Sequence, residues 1–518
     1  MVLDPVKIRN GVGRLLMWAA LCAVALVPRL LMMFTVERRL DADESIVGLM
    51  AKHIAAGEGV PFFFYGQDYG GGHVIEALLA APVFLLTGTA EWPVLLGPVL
   101  FSTATVLLVF VFVRNQLGGR AGFACAALFS FSVPYLKSSL KADGYIETMF
   151  LGLLAVVLMQ SFARAVREKR EVAACEYAAL AGMAVGLGLW SYDFAVVYLA
   201  AVVLMSLRAG ILRAGRAGAF AGGLAVGLGP LIAANLLGNW GHLKHFAAAG
   251  PGGVSSPVDF PIKLFDLLVS ELPAFISSNC IHNFVYPAPW YSWLIYAAVG
   301  CSAMLIIGFR KRLHVSIALV PVLVIAAYTV SGYAGRSPRY LLALEPFLTI
   351  IPVAAAVLLL RSEKYLSHLI GAAIIIAMIT GTIAGDIDVF RDGTIVEGNV
   401  ETDPESLPAV VLMLENEGID CIYTTYFIKW RILFLTDERI NAVDIKAGER
   451  ENAYLRYEDA GCPEDEQPSY VFHKHSRQVG VVASQISGEF QPYKVARTVD
   501  HLVMVPAVPG PDVPAGEE

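Results

Sequence analysis

Polar and apolar positions segregate along this chain into blocks longer than a globular core needs. Apolar runs recur at about 13–34, 94–113, 121–136, 145–163, 176–190, 194–208, 218–237, 290–309, 314–330, 340–360 and 366–384. Runs of about twenty apolar residues match the hydrocarbon thickness of a bilayer, so each predicts a membrane helix. The first run is too long, and too weakly followed by a small-residue cleavage site, to be a removed signal peptide. The fold class that follows is an α-helical polytopic membrane protein over residues 1–384, with about eleven transmembrane helices and its termini on opposite sides. After residue 384 the pattern changes. Segments 420–424, 439–443, 469–473 and 491–505 read as strands, and 405–417, 425–435, 451–459 and 477–486 as helices. That alternation predicts a small α/β domain over 385–505. Residues 506–518, rich in proline, read as a disordered tail.

Charge supports this reading and orients it. Of the 518 residues, 56% are hydrophobic and 16% charged, well below the roughly 25% charge of soluble domains; mean hydropathy is +0.61. Basic residues cluster around Arg9, in 114–120, 164–170, 208–216 and 310–312, and at Arg361 and Lys364. All lie in alternate loops, as the positive-inside rule requires of cytoplasmic loops. Arg38 and Arg39 depart from it, but acids follow at once. The loops 37–93 and 238–289, and everything after about 385, are therefore expected outside the cytoplasm. The tail from 385 carries 25 acidic and 11 basic residues, a net −14 against −7 for the whole chain, which leaves +7 on the membrane part. An acidic outer domain on a basic membrane body excludes nucleic acid as the natural partner and suits anionic lipid or a lipid phosphate.

The candidate chemistry begins where the first run ends, at Leu40-Asp41-Ala42-Asp43-Glu44-Ser45. A carboxylate near hydrocarbon costs roughly 2–4 kcal/mol unless solvated, paired or used. A helix start with Asp41 or Asp43 as N-cap accounts for one or two of the three acids. The third asks for a function. Residues 44–56 read as a helix, followed by an aromatic run at 61–66 and the polar turn Gln67-Asp68-Tyr69-Gly70-Gly71-Gly72-His73. The glycines could bring backbone amides close to a ligand, and Asp68, Tyr69 and His73 are candidate acceptor- or sugar-binding side chains. Residues 74–88 form a shorter apolar segment, expected to be interfacial or re-entrant, since a span here would invert every later loop. Lys137 and Lys141, with Asp143 in the same loop, and Arg336 and Arg339 in 331–340 break the positive-inside trend. Singly they read as snorkelling residues; four at outer helix mouths also make a phosphate clamp. Trp190 and Tyr192 fit the interfacial aromatic belt better than a sugar platform.

Seven cysteines show no metal-type spacing, and no metal site is assigned. Cys22, Cys125, Cys175 and Cys301 read as small packing residues. Cys421 and Cys462 lie in the outer domain, where a disulfide is permitted and two separate buried thiols are the alternative.

These features together resemble the type C glycosyltransferases, and within them the bacterial branch grouped with protein O-mannosyltransferases and the aminoarabinose transferase of lipid A. The resemblance rests on Asp43-Glu44 after the first span, the long outer loop with helical segments, Asp143 in the second, and the Arg-Tyr-Leu-Leu-x-Leu-x-Pro stretch at 339–346. In the tail, Tyr423-Thr424-Thr425-Tyr426 and Arg431-Ile432-Leu433-Phe434 are similar to the outer domain of that branch. The resemblance implies Asp43 as catalytic base with Glu44 beside it, Asp143 as a second acid, and Arg339 and Tyr340 near the donor phosphate. Relatives carry Lys-Pro-Pro where this chain has Gly71-Gly72-His73, so the lysine role falls open to His73, Lys137 or Lys141.

The expected activity is transfer of a sugar from a polyprenyl-phosphate donor to an extracytoplasmic glycan, lipid or protein, because nucleotide sugars are confined to the cytoplasm. Asp43 would take the acceptor proton in a single inverting displacement. Lys137, Lys141, Arg336 and Arg339 would stabilise the leaving phosphate. Asp143 would position the acceptor or help hold Mg²⁺ or Mn²⁺, the only cofactor entertained. The competing function is a transporter or flippase of a lipid-linked sugar. Transporters place ionisable groups near the bilayer midplane and often in paired broken helices, whereas these acids sit at helix mouths. An inactive transferase fold serving in assembly is a third reading.

Overall fold

The computed structural model describes residues 5–35, 40–238, 240–244, 259–278, 280–281, 284–285, 287–308, 315–331, 338–392, 396–397, 400–401, 406–445, 462, 468–474 and 493–506. Within these, all eleven apolar runs are helical. Seven helices alone are long and apolar enough to cross a membrane, and eight if the pair Ala214–Gly227 and Gly229–Leu237, bent by 54°, counts as one. The others are shorter or broken where sequence forces it. The run 121–136 splits into two helices, Gly119–Ser130 and Val133–Ser138, just before Pro134, and 340–360 begins as a 3₁₀ turn, Pro338–Leu344, that becomes α-helical at Glu345.

In chain order, α1 (Pro5–Thr35) enters the bundle, and α2 (Ala42–Ala55) and α3 (Gly71–Thr87) lie at its end. The helices α4 (Leu96–Leu117), α5 (Gly119–Ser130), α7 (Tyr145–Arg167) and α8 (Glu171–Ser191) follow, with the single-turn α6 (Val133–Ser138) between α5 and α7. Helix α8 and the helix Ala214–Gly227 meet through glycines. A Cβ on Gly223 would stand 1.9 Å from the Ala179 carbonyl, and one on Gly182 2.3 Å from that of Phe220. Small residues that let backbones touch drive helix association where lipid removes the hydrophobic advantage. The bundle core runs through Phe110, Phe129, Met149, Val185, Tyr198, Val320 and Phe347.

The C-terminal region is a five-stranded sheet in the order 441–444, 421–424, 470–473, 501–506, 493–497. Its first two pairings are parallel and its last two antiparallel. The stretch 491–505, expected as one strand, is a hairpin. Val499-Asp500 make the turn, and the Thr498 hydroxyl accepts the His501 amide at 3.0 Å. Cys421 and Cys462 are disulfide-bonded, with Cα atoms 5.5 Å apart. The helices expected at 451–459 and 477–486, and the tail 507–518, lie outside the described residues. The last bundle helix runs from Tyr365 past residue 384 to Asp392.

The C-terminal domain does not stand apart from the bundle. Leu407, Val410, Ile422, Ile432, Leu433, Phe434 and Val503 share one buried apolar core with Ile46, Leu49 and Met50 of α2 and Val74 and Ala77 of α3. Burial contributes on the order of 25 cal/mol per Å², so this common core fixes α2 between bundle and sheet.

Candidate active site

The three acids at the start of α2 have separate positions and separate partners. Asp41 is the N-cap: its Oδ1 accepts the Glu44 amide at 2.9 Å, and Glu44 Oε2 accepts the Asp41 amide at 2.9 Å, a reciprocal capping box. Glu44 is buried, and its Oε1 accepts the Ala142 amide at 3.1 Å. It therefore latches the 139–144 turn onto α2. Asp43 takes no part in the capping box. It is half-buried, and its Oδ1 accepts the hydroxyl of Tyr426 at 2.6 Å. Sequence reasoning grouped Asp43 and Glu44 as one catalytic pair; the structure gives Glu44 a supporting place.

The 139–144 turn brings Lys141 and Asp143 to the same end. Lys141 Nζ lies 3.5 Å from Asp41 Oδ2. Desolvation opposes its charge, but Asp41, Asp143, Glu44 and Asp43 outweigh that and hold its pKa above the ordinary value. Asp143 accepts the Tyr145 amide at 3.3 Å. Burial pushes its carboxyl up to about 7, against the opposing charges of Lys141 and Arg339. Lys137 is exposed on α6, and Arg336 lies outside the described residues.

Glycines set the start of α3. Gly70, with φ 83°, is its N-cap. A Cβ on Gly71 would meet the Trp190 ring at 2.5 Å, and one on Gly72 the Ser191 hydroxyl at 2.5 Å and Gly144 Cα at 2.7 Å. The sequence suggested amides free to approach a ligand; here two of the three glycines serve close packing of α3 on α7 and α8. Trp190, expected in the aromatic belt, is buried and donates to the Phe62 carbonyl at 2.9 Å. His73 is buried and its Nδ1 lies 3.1 Å from the Gly70 carbonyl. Desolvation takes its pKa down to about 4, although Asp43 pulls the other way. A histidine so held carries little charge at neutral pH, unlike the lysine that relatives are expected to carry at this place. Asp68 is exposed and its carboxylate lies against Gly241, while its carbonyl is 2.7 Å from His242 Nδ1.

Arg339 and Tyr340 come to this end on the 3₁₀ turn. The guanidinium carbon of Arg339 sits 5.7 Å from the Tyr145 ring centre and 5.3 Å from that of Tyr340, a cation–π cradle. Its Nε is buried with no hydrogen-bond partner among the described residues. Tyr145 donates to the Tyr192 hydroxyl at 3.2 Å, and Tyr69 packs edge-on to Tyr192 with ring centres 6.2 Å apart. Tyr145 and Tyr340 thus stack on one cation, with Tyr192 packed against both and Tyr69 against Tyr192. Among the described residues, no three His, Cys, Asp or Glu side chains make a group that could hold a metal ion.

No curated protein matches the sequence. Residues 74–229 match the family described as dolichyl-phosphate-mannose-protein mannosyltransferase. Among solved structures, ArnT from Cupriavidus metallidurans bound to undecaprenyl phosphate superposes with a TM-score of 0.63, over 95% of this chain and 97% of that one, at 11% identity. At that identity the likeness shows a shared fold, and the family match covers residues 74–229 alone. A second solved structure is similar: the Archaeoglobus fulgidus oligosaccharyltransferase in its apo form, TM-score 0.52 at 14% identity, over 83% of this chain and 64% of that chain. The fold places α2, α3, the 139–144 turn and Arg339 at one end of the bundle. Sequence reasoning named most of these residues. It named Tyr69 and Tyr340 singly and read Tyr192 as interfacial, but did not bring them together with Tyr145, and it gave Tyr426, 383 positions from Asp43, no part at the acid.

Proposed function

We propose that this membrane glycosyltransferase moves a sugar from a polyprenyl-phosphate donor to an acceptor hydroxyl on the extracytoplasmic side of the cell membrane, with Asp43 as general base. One observation carries the assignment. Of the three acids at the start of α2, Asp41 is used for capping and Glu44 for the latch to Ala142, so Asp43 alone has no part in either.

In the reaction the acceptor oxygen forms a bond to the anomeric carbon as its proton passes to Asp43. The bond from that carbon to the phosphate oxygen breaks on the opposite face, and the electron pair leaves with the polyprenyl phosphate. Arg339, whose buried Nε has no hydrogen-bond partner among the described residues, and Lys141 supply positive charge where the leaving phosphate develops its negative charge. Asp143, half protonated near neutral pH, hydrogen-bonds the acceptor or donor sugar. Asp68 and Lys137 are exposed and take no step in this proposal. Among the described residues, those around Asp143 form no three-donor set for Mg²⁺ or Mn²⁺, and the proposed steps use side chains alone. ArnT was solved with undecaprenyl phosphate bound, the kind of molecule this reaction would release. The alternating basic loops support the external location.

The test is release of polyprenyl phosphate from a labelled polyprenyl-phosphate sugar by purified protein in the presence of envelope acceptors. Release dependent on acceptor and enzyme supports the assignment, and no release with any envelope fraction contradicts it. Impermeant labelling of introduced cysteines in intact cells should modify positions near 66 and 400 and spare 167; modification at 167 would invert the orientation.

A further inference from the structure

The C-terminal domain reaches the proposed base. Tyr426 opens the helix Tyr426–Leu435 and donates its hydroxyl to Asp43 Oδ1 at 2.6 Å. The rest of that helix and the turn after it are fixed on α2 by contacts that do not involve Asp43. The Phe434 ring lies over Gly48, where a Cβ would stand 2.4 Å away. Lys52 pairs with Asp437 at 2.9 Å and Glu438 at 2.6 Å, and His53 Nε2 lies 3.1 Å from Glu438 Oε1. The Tyr426 ring packs edge-on against Phe427 and Trp430, with centres 5.5 and 6.3 Å away. The phenol is thus held between two rings on a helix that is itself anchored one to three turns along α2 from Asp43.

We propose that Tyr426 is a positioning residue for sugar transfer: by holding Asp43 Oδ1 it presents Oδ2 to the acceptor hydroxyl, and the C-terminal domain thereby becomes part of the catalytic centre. This rests on Asp43 being the base. An aspartate side chain has two torsions, and an unrestrained carboxylate spreads its oxygens over several orientations. A hydroxyl bonded to a carboxylate is among the stronger protein hydrogen bonds and selects one of them. Misplacement of a reacting group by about 1 Å costs on the order of a hundredfold in rate. Docking of the domain does not need this bond, because Phe434, Lys52 and His53 already supply it.

The experiment uses full-length protein in detergent or nanodiscs. Tyr426→Phe keeps the ring and removes only the hydroxyl. It should lower kcat by about 10–100-fold and leave donor KM and the melting temperature unchanged. In an Asp43→Asn background the same substitution should leave the residual rate as it is, since there is no carboxylate left to position. Full turnover by Tyr426→Phe, with Asp43→Asn inactive, overturns this inference and leaves the proposed function standing. Equal losses in both backgrounds, or a lowered melting temperature with raised donor KM, make Tyr426 structural and also overturn it. Normal turnover by Asp43→Asn removes the base itself, and the inference falls with it.

Discussion

Replacing Glu44 by glutamine separates support from chemistry in the acidic stretch. Both Glu44 oxygens accept buried backbone amides, from Asp41 at 2.9 Å and Ala142 at 3.1 Å. Glutamine keeps one acceptor and turns an NH₂ donor toward the other amide. A hydrogen bond to a charged group contributes roughly 1.5–3 kcal/mol, and a buried amide left unpaired costs about 1–3 kcal/mol. With partial relaxation the expected loss is roughly 2–4 kcal/mol. If the Ala142 bond is the one lost, the turn carrying Lys141 and Asp143 is released from α2, and transfer should drop about tenfold or more. The assay pairs a melting curve with hydrogen exchange at the Ala142 amide and with transfer rate. Glu44→Gln should melt several degrees lower and exchange Ala142 faster. Unchanged melting and exchange would show that the latch holds nothing together. Lost transfer with both unchanged would instead make Glu44 a chemical group.

Arg339→Lys keeps the charge and gives up the planar fork that stacks on Tyr145 and Tyr340; donor KM should rise about tenfold with the fold intact, and full activity of Arg339→Ala at limiting donor would dismiss the clamp. Asp143 has its folded-state pKa raised to about 7 from an ordinary 3.8. Between those values the folded protein holds a proton that the unfolded chain has lost, so this residue makes stability fall as pH rises from about 4 to 7. Melting curves of Asp143→Asn across that range should be flatter than those of the parent, and identical slopes would refute the shift. Reduction of the Cys421–Cys462 disulfide, which closes a separation of 41 residues, should cost the C-terminal domain about 4 kcal/mol, measurable as a loss of resistance to proteolysis confined to that region.

Much of the bundle was legible because bilayer thickness imposes a long, repeated apolar signal, and all eleven runs are helices. The start of α2 was legible for a local reason: Asp41 followed three positions later by Glu44 is a capping box, and its physics needs only four residues. Which acid does what was not legible. The partners that decide it, Ala142 and Tyr426, lie 98 and 383 positions away. The glycines at 70–72 show a second limit. Glycine marks either flexibility or close packing, and only the neighbours Trp190 and Gly144 settle which. His73 shows a third, since its loss of charge depends on burial that no spacing reveals. In the described part of the tail, strands at 421–424, 441–444 and 470–473 and helices at 406–416 and 426–435 lie close to where the pattern put them, while 491–505 is a hairpin; the docking on α2 depends on Phe434 meeting Gly48, a complementarity between distant residues.

The central claim is that Asp43 removes the acceptor proton. Asparagine has nearly the same volume, and Asp43 is not the N-cap, so Asp43→Asn should melt with the parent. An amide takes no proton at neutral pH, and general base catalysis is worth about 10²–10⁴ in rate. The decisive measurement is acceptor-dependent release of polyprenyl phosphate by purified Asp43→Asn protein, with its melting temperature followed alongside. A fall of at least a hundredfold at unchanged melting temperature is the predicted result; near-normal release by the stable variant would contradict it.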